Sequence, residues 1–401
     1  MNNQNKAVAL LLYLLWPFSA VIIGLKNFDT TFGRKLLIAA FVFLGYTATE
    51  SGDLERYMTH YYEISDMSFQ EILHLFLNLQ ISKLFNDVTS LLFSPFNNHH
   101  LYFGFLFGFY AYFLVNTINL FRLKLLKNFT FGISVGFFAF ALFYSILTIF
   151  NYAFYTGVIY FLYFLVKLIC FNKRSSYLFM LLTPVFHYGT LPFLLIPLFF
   201  IIFKRKTYLY IIALIVCSLA SQSFLIKNVG TYLENTGTVL ENRFDGYASE
   251  EGKERMDERY SLGYKQGNTN YRLFVDIRNA TNSIAIPSLL VLLLINLKNI
   301  KRNEVTLNLL NISIACMAVS QLMLNISQGE RFYFASGFMV LGLYIFYVQK
   351  FGFNSLRCKN LLYLIIPIIL LNNIVALILA RTLISSDFLL SNFIYLFIKL
   401  L

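Results

Sequence analysis

Three polar clusters interrupt an otherwise apolar chain. The first, Ser51-Gly52-Asp53-Leu54-Glu55-Arg56-Tyr57-Met58-Thr59-His60-Tyr61, repeats Asp53, Tyr57 and Tyr61 at intervals of four, so a helix here puts all three on one face. The second, Pro184-Val185-Phe186-His187-Tyr188-Gly189, sets an imidazole inside hydrophobic sequence, where ionisable groups are costly and tend to serve function. The third is a charge-dense interval with Arg243, Asp245, Tyr247, Arg255, Arg259, Arg272 and Arg278, joined later in the chain by Arg331. Together they offer a titratable imidazole, a carboxylate and fixed cations. The same residues also suit structural roles: Asp53 as a helix N-cap, the tyrosines as an interfacial belt, His187 bonded to a carbonyl at a helix break, and the arginines as solvated charges.

Other chemistries are excluded by what the chain lacks. It has no Walker A loop, no GxGxxG, no HExxH and no Asp-x-Asp pair, which removes ATP-driven pumps and cytosolic nucleotide-sugar enzymes. His60, His74, His99, His100 and His187 show no ligand spacing with a nearby acid, so no metal site and no cofactor is expected. The four cysteines show neither metal spacing nor a disulfide framework.

The elements that position these groups follow from composition. Hydrophobic residues make up 58% and charged residues 13% of 401, and mean hydropathy is +0.64. These values fit an all-α polytopic membrane protein and no ordinary soluble domain. About 20 apolar residues span a bilayer. Runs of that kind are expected over 7–25, 36–47, 101–121, 129–150, 152–171, 208–226, 284–297, 305–326, 332–348 and 360–379, with a short one over 388–401, giving 10–12 transmembrane helices in a single membrane domain. Lys6 precedes the first run without a small-residue cleavage site, so that run reads as an anchor.

The formal charge of +12 does not point to nucleic acid, because Lys and Arg gather in short connections at span ends, as in Arg122/Lys124/Lys127, Lys204/Arg205/Lys206 and Lys298/Lys301/Arg302. Such loops are cytoplasmic. The opposite loops then face outward: an amphipathic segment over 48–100, with apolar residues at helical spacing from Phe69 to Phe93, and a long loop over 227–282. Parity requires 177–203 to enter and leave on one side. Pro184, Gly189, Pro192 and Pro197 break that stretch into arms short for a crossing, so it reads as a re-entrant or broken hairpin with His187 near its outward tip.

Asp53-x-x-x-Tyr57-x-x-x-Tyr61 after the second span, the break at His187, Arg243-Phe244-Asp245-Gly246-Tyr247 in the long loop and Arg331-Phe332-Tyr333 opening a late span together resemble the EpsG branch of the Wzy-type polysaccharide polymerases. The resemblance runs over most of the chain in order and spacing, on short motifs. It implies a membrane glycosyltransferase of the bacterial cytoplasmic membrane, active on the outer or periplasmic side, that joins polyprenyl-diphosphate-linked oligosaccharide units. Membrane lipid, a chain-length regulator and a flippase are the other partners it implies. His187 or Asp53 would be the base, and Arg56, Tyr57, Tyr61, Arg243, Tyr247, Arg272, Arg278 and Arg331 would bind substrate: arginine forks suit a diphosphate and tyrosine rings suit sugar faces. Asn151-Tyr152 stands where such proteins often carry an Arg, a departure that puts that phosphate contact in doubt, and the nearest counterpart of an acidic residue in the amphipathic segment is Asp87. An O-antigen ligase or other membrane glycosyl or acyl transferase, or a flippase for the same lipid-linked unit, also fits the outer arginines and the histidine.

Overall fold

The computed structural model describes residues 3–49, 53–78, 83–125, 148, 152–221, 276–324, 329–380 and 384–392. Among these the secondary structure is entirely helical. Among the described residues six helices are long and apolar enough to cross a membrane: His99–Lys124, Ala153–Phe171, Asp276–Ile295, Glu304–Leu322, Gly329–Phe351 and Lys359–Ala376. The chain is a polytopic membrane protein.

The first expected span is not one helix. It divides into α1 (Asn3–Leu15) and α2 (Ser19–Lys26), because Pro17 has no N–H to continue the ladder. The break is closed from the far end of the sequence: Trp16 Nε1 donates to the Leu389 carbonyl at 2.6 Å, and the Phe18 ring meets Phe388 edge-on at 5.7 Å. The next helix, α3 (Thr31–Tyr46), starts at an N-cap in which the Thr30 hydroxyl accepts from Gly33 N–H. It packs on the long helix α7 (His99–Leu125), where Gly104 and Gly108, four residues apart, both face Val42. A Cβ at Gly108 would lie 2.5 Å from Val42 Cγ2. Small residues at this spacing let membrane helices approach closely without a hydrophobic driving force between them.

Between α3 and α7 lie three short helices, α4 (Asp53–Ser65), α5 (Phe69–Leu77) and α6 (Leu84–Phe93). Ser68 and Glu71 form a capping box that starts α5. Phe69, Leu77 and Leu92 are exposed on these helices, an outward apolar surface suited to a bilayer interface.

The most buried spans are α8 (Tyr152–Phe171) and, further on, Glu304–Leu322, each with 83% of its apolar window inside the protein, whereas Lys359–Ala376 has 28% and forms the rim. After α8 the chain rises again in pieces: α9 (Ser176–Met180), a 3-10 turn (Thr183–Val185), a break at His187, a second 3-10 stretch (Tyr188–Leu194) and α10 (Leu195–Phe203). Ring contacts fix its path along α8. Phe179 stacks on Phe164 at 4.6 Å, Phe186 meets Tyr160 at 4.8 Å and His187 meets Phe154 at 5.7 Å; on the return, Phe193 meets Phe161 at 5.6 Å. The Lys204 carbonyl then accepts from Tyr210 at 2.9 Å, and Arg205 pairs with Glu304. Gly157 makes the close approach possible, since a Cβ there would stand 3.0 Å from Thr190 Cγ2 and 3.2 Å from Phe186 Cβ.

The rest of the bundle is α11 (Thr207–Ser221), α12 (Ile286–Ile295), α13 (Glu304–Leu322), α14 (Tyr333–Phe351) and α15 (Leu362–Ala380), followed by the short α16 (Ser386–Leu390). The helix ending in α12 already begins at Asp276. Arg278, expected at the end of the 227–282 loop, is therefore helical. Of the other expected spans, 129–150 lies outside the described residues except for Thr148, and 388–401 is described only to residue 392.

The bundle has two chemically distinct ends. At one, Arg34 is within electrostatic reach of Arg122, Lys124 Nζ sits 5.0 Å from the Phe171 ring, and Arg205 pairs with Glu304. At the other are the His187 break, α4 to α6 and the Arg331 turn. A membrane-impermeant thiol reagent is accordingly expected to reach Glu63→Cys and Arg205→Cys, at side chains 65% and 63% exposed, from opposite sides, in a background where the exposed Cys358 is replaced. Labelling of both from the same side would contradict the two-ended arrangement.

Candidate functional site

At the His187 end, residues far apart in sequence converge. Helix α4 turns Leu54, Tyr57, Tyr61 and Ile64 inward, the i, i+3, i+7, i+10 face that a 3.6-residue repeat aligns. Two of these are tyrosines with different tasks. Tyr61 is fully buried, stacks on Tyr102 at 5.0 Å and donates to the Phe93 carbonyl at 2.8 Å. Its ring and hydroxyl are both consumed by packing, so the substrate contact expected of it is not available. Tyr57 instead sits under Lys83 Nζ at 4.6 Å, reaches the Ala153 backbone at the start of α8 and lies in the field of Arg331 and Arg56. Burial pushes its phenol up to about 12, with Arg331 opposing. Tyr57 therefore stays neutral.

Arg331 is carried by a 3-10 turn, Gly329–Phe332, that opens α14. The turn is held by Phe332, buried between Phe154 at 5.5 Å and a stacked Phe193 at 5.1 Å. Because the His187 ring meets Phe154 edge-on, the arginine turn and the tip of the broken stretch share one aromatic anchor. Glu330, on the same turn, accepts from Arg278 Nη2 at 3.1 Å, both side chains being about a fifth exposed. Tyr155 lies within electrostatic reach of Arg331, Arg278 and Glu330 together. Three helices and one 3-10 turn thus bring Arg331 near two buried tyrosines, Tyr57 and Tyr155, and Arg278 near the second of them. Shortly beyond Arg278 the helix widens into a π-turn over Thr281–Ala285, a distortion that often accompanies functional sites. Asn282 on that turn is buried with no hydrogen-bond partner among the described residues.

His187 has an extended backbone and its Nδ1 accepts from Gly189 N–H at 2.9 Å. With Nδ1 used as acceptor, the proton of a neutral imidazole sits on Nε2. That makes His187 a donor through Nε2 and a cap of the 3-10 stretch through Nδ1. Next to it, Tyr188 donates to the Phe76 carbonyl at 3.0 Å and stacks on the Phe76 ring, tying the tip to α5.

The feature that sequence reasoning underrated is α6. Its buried residues are Asn86, Asp87, Thr89 and Ser90, all polar, while Leu92 is 65% exposed. Asp87, 1% exposed, bonds His60 Nε2 at 2.6 Å. The bond raises the His60 imidazole pKa, chiefly through the Asp87 contact, against burial and Lys83. A raised folded-state value means the pair adds stability that is complete below the ordinary imidazole range and is lost as pH rises through the raised value. Four polar residues within five positions of an amphipathic helix were the available sequence signal.

Of the remaining expected site residues, Arg56 is exposed on α4 and Asp53 is the first residue of that helix. Arg243, Tyr247 and Arg272, like Asn151, lie outside the described residues. Among the described residues no three His, Cys, Asp or Glu converge as metal ligands. No protein-family model matches the chain, and neither the curated proteins nor the solved structures contain a match.

Proposed function

We propose that the chain joins polyprenyl-diphosphate-linked oligosaccharide repeat units into a long surface polysaccharide, by glycosyl transfer at the His187 end of the bundle. By the distribution of basic loops, that end faces the outside of the bacterial cytoplasmic membrane. The observation that carries this reading is the convergence of Arg331 and Arg278 on Tyr155, with Arg331 also reaching Tyr57; Arg331 rides on the turn anchored by Phe332, and Arg278 is tied to the same turn through Glu330. Breaking the anomeric bond of a lipid-linked donor leaves a diphosphate, and fixed guanidinium forks stabilise that developing charge without reorganising. The resemblance to the EpsG branch, the exposed apolar residues of α5 and α6 and the aromatic rings near the arginines support a lipid-borne sugar as the occupant. A hydroxyl of one repeat unit attacks, the growing chain is transferred and polyprenyl diphosphate leaves.

Deletion of the gene in its native host tests the reading through the glycan ladder. A single lipid-linked unit remaining in place of the ladder is expected. Undiminished long chains that fail to reach their final acceptor would instead mark a ligase, and units accumulating only on the cytoplasmic side would mark a flippase.

A further inference from the structure

The polymerase reading needs a group to take the proton of the attacking hydroxyl, and the structure offers one outside the residues singled out for that task. We propose that His60, oriented by Asp87, is the catalytic base of this site; the assignment rests on the glycosyl-transfer reading above. Three observations converge on it. Asp87 is almost wholly buried and holds His60 Nε2 at 2.6 Å, so the neutral ring keeps its proton on Nε2 and presents the Nδ1 lone pair. That is the arrangement in which a carboxylate fixes the tautomer of a histidine base. The His60 side chain is 35% exposed, and its Nδ1 faces Glu63 Oε2 at 3.6 Å, a long contact to a 65% exposed carboxylate that adds to the raised imidazole pKa and that an acceptor hydroxyl can displace. Finally, Asn86, on the same buried side of α6, is fully buried with both amide atoms lacking a partner among the described residues. A buried amide left unpaired costs free energy that a polar ligand or water would recover.

His60 lies one helical turn from Tyr57, which lies in the field of Arg331. The groups that face the imidazole are Asp87 and Lys83 from α6 and the turn before it, and Glu63 from its own helix. In the reaction the acceptor oxygen bonds to the anomeric carbon as its proton passes to His60 Nδ1. The bond from that carbon to the diphosphate oxygen breaks, and its electron pair leaves on the diphosphate. The imidazolium is stabilised by Asp87 and returns its proton to solvent. Asp87 is a positioning residue throughout. His187, whose Nδ1 is held by Gly189 N–H, is left to cap its turn.

The test uses the full chain in liposomes with purified lipid-linked repeat units, following extension against pH. His60→Gln is expected to lose about 10²-fold or more of the rate, the usual worth of a positioned base. Asp87→Asn should lower the plateau and move the acid limb of the profile to lower pH, because the carboxylate that raises the imidazole pKa is gone. A merely structural Asp87 would not move the limb, so this variant decides the matter even if His60→Gln folds poorly. Extension by His60→Gln within about twofold of the parent, or an unmoved limb in Asp87→Asn, would overturn the dyad while leaving the polymerase reading intact. A parent that never extends would overturn both.

Discussion

Arg331→Lys and Arg278→Lys are each expected to lower the rate of chain extension about 10²-fold, the size of effect seen when one fixed donor to a developing anion is removed. Lysine keeps the charge but offers a point donor on a flexible stem, where arginine gives two parallel N–H groups in one plane. The loss should be larger at Arg331. Its turn is anchored through Phe332 between Phe154 and Phe193, so the backbone that carries it is fixed and cannot shift to compensate for a lost fork. Arg278 is held by Glu330 at 3.1 Å, and a lysine there can still pair with that carboxylate. Arg302→Lys, at an exposed position on the opposite end, should leave the rate unchanged, since exposed charges contribute about 0–1 kcal/mol. Initial rates with purified lipid-linked units in liposomes provide the comparison. Full activity in both lysine variants at the His187 end would remove the arginines from the leaving-group role.

The second large effect is expected at Gly157, where the chemistry depends on packing. The broken stretch reaches the site only because its 3-10 turns press on α8 at this residue, within 3.0 Å of Thr190 Cγ2 and 3.2 Å of Phe186 Cβ for an added Cβ. Gly157→Ala asks those neighbours to give by a few tenths of an ångström and should be tolerated with a small loss. Gly157→Leu has no room, and overpacking of this kind costs about 1–3 kcal/mol or displaces the backbone. The displacement would separate His187 from Phe154 and loosen Phe193 from Phe332. A melting temperature lowered by several degrees in detergent, together with loss of extension, is the expected outcome. An unchanged melting curve for Gly157→Leu would show that the stretch does not pack along α8 as described.

What the sequence disclosed and what it concealed have physical causes. Apolar length reveals helices such as His99–Lys124 and Glu304–Leu322, because a bilayer rewards continuous hydrophobic runs. The four-residue spacing of Tyr57 and Tyr61 correctly put them on one face of α4, but spacing does not distinguish a ring locked against Tyr102 from one beside Arg331. The run over 7–25 read as one span by its apolar length; in the structure Pro17 interrupts it, and the Trp16 and Phe18 contacts with Leu389 and Phe388 stabilise the break. Arg278 read as a loop residue because charge lowers window hydropathy, while its pairing with Glu330 lets the helix begin ahead of it. The burial pattern of α6 was least legible. In water its apolar side would turn inward, but beside lipid the preference can reverse, so Asn86, Asp87 and Ser90 face the protein and Leu92 faces out. Only the position of the neighbouring helices decides that.

The most direct test of the central claim is a stoichiometry. The purified chain, reconstituted in liposomes with lipid-linked repeat units as sole substrate, should release one polyprenyl diphosphate for each repeat unit added to the growing glycan. Lengthening of the glycan with matched release is the predicted result. Release without lengthening, or movement of intact units across the bilayer with neither, would contradict transfer at the arginine cluster.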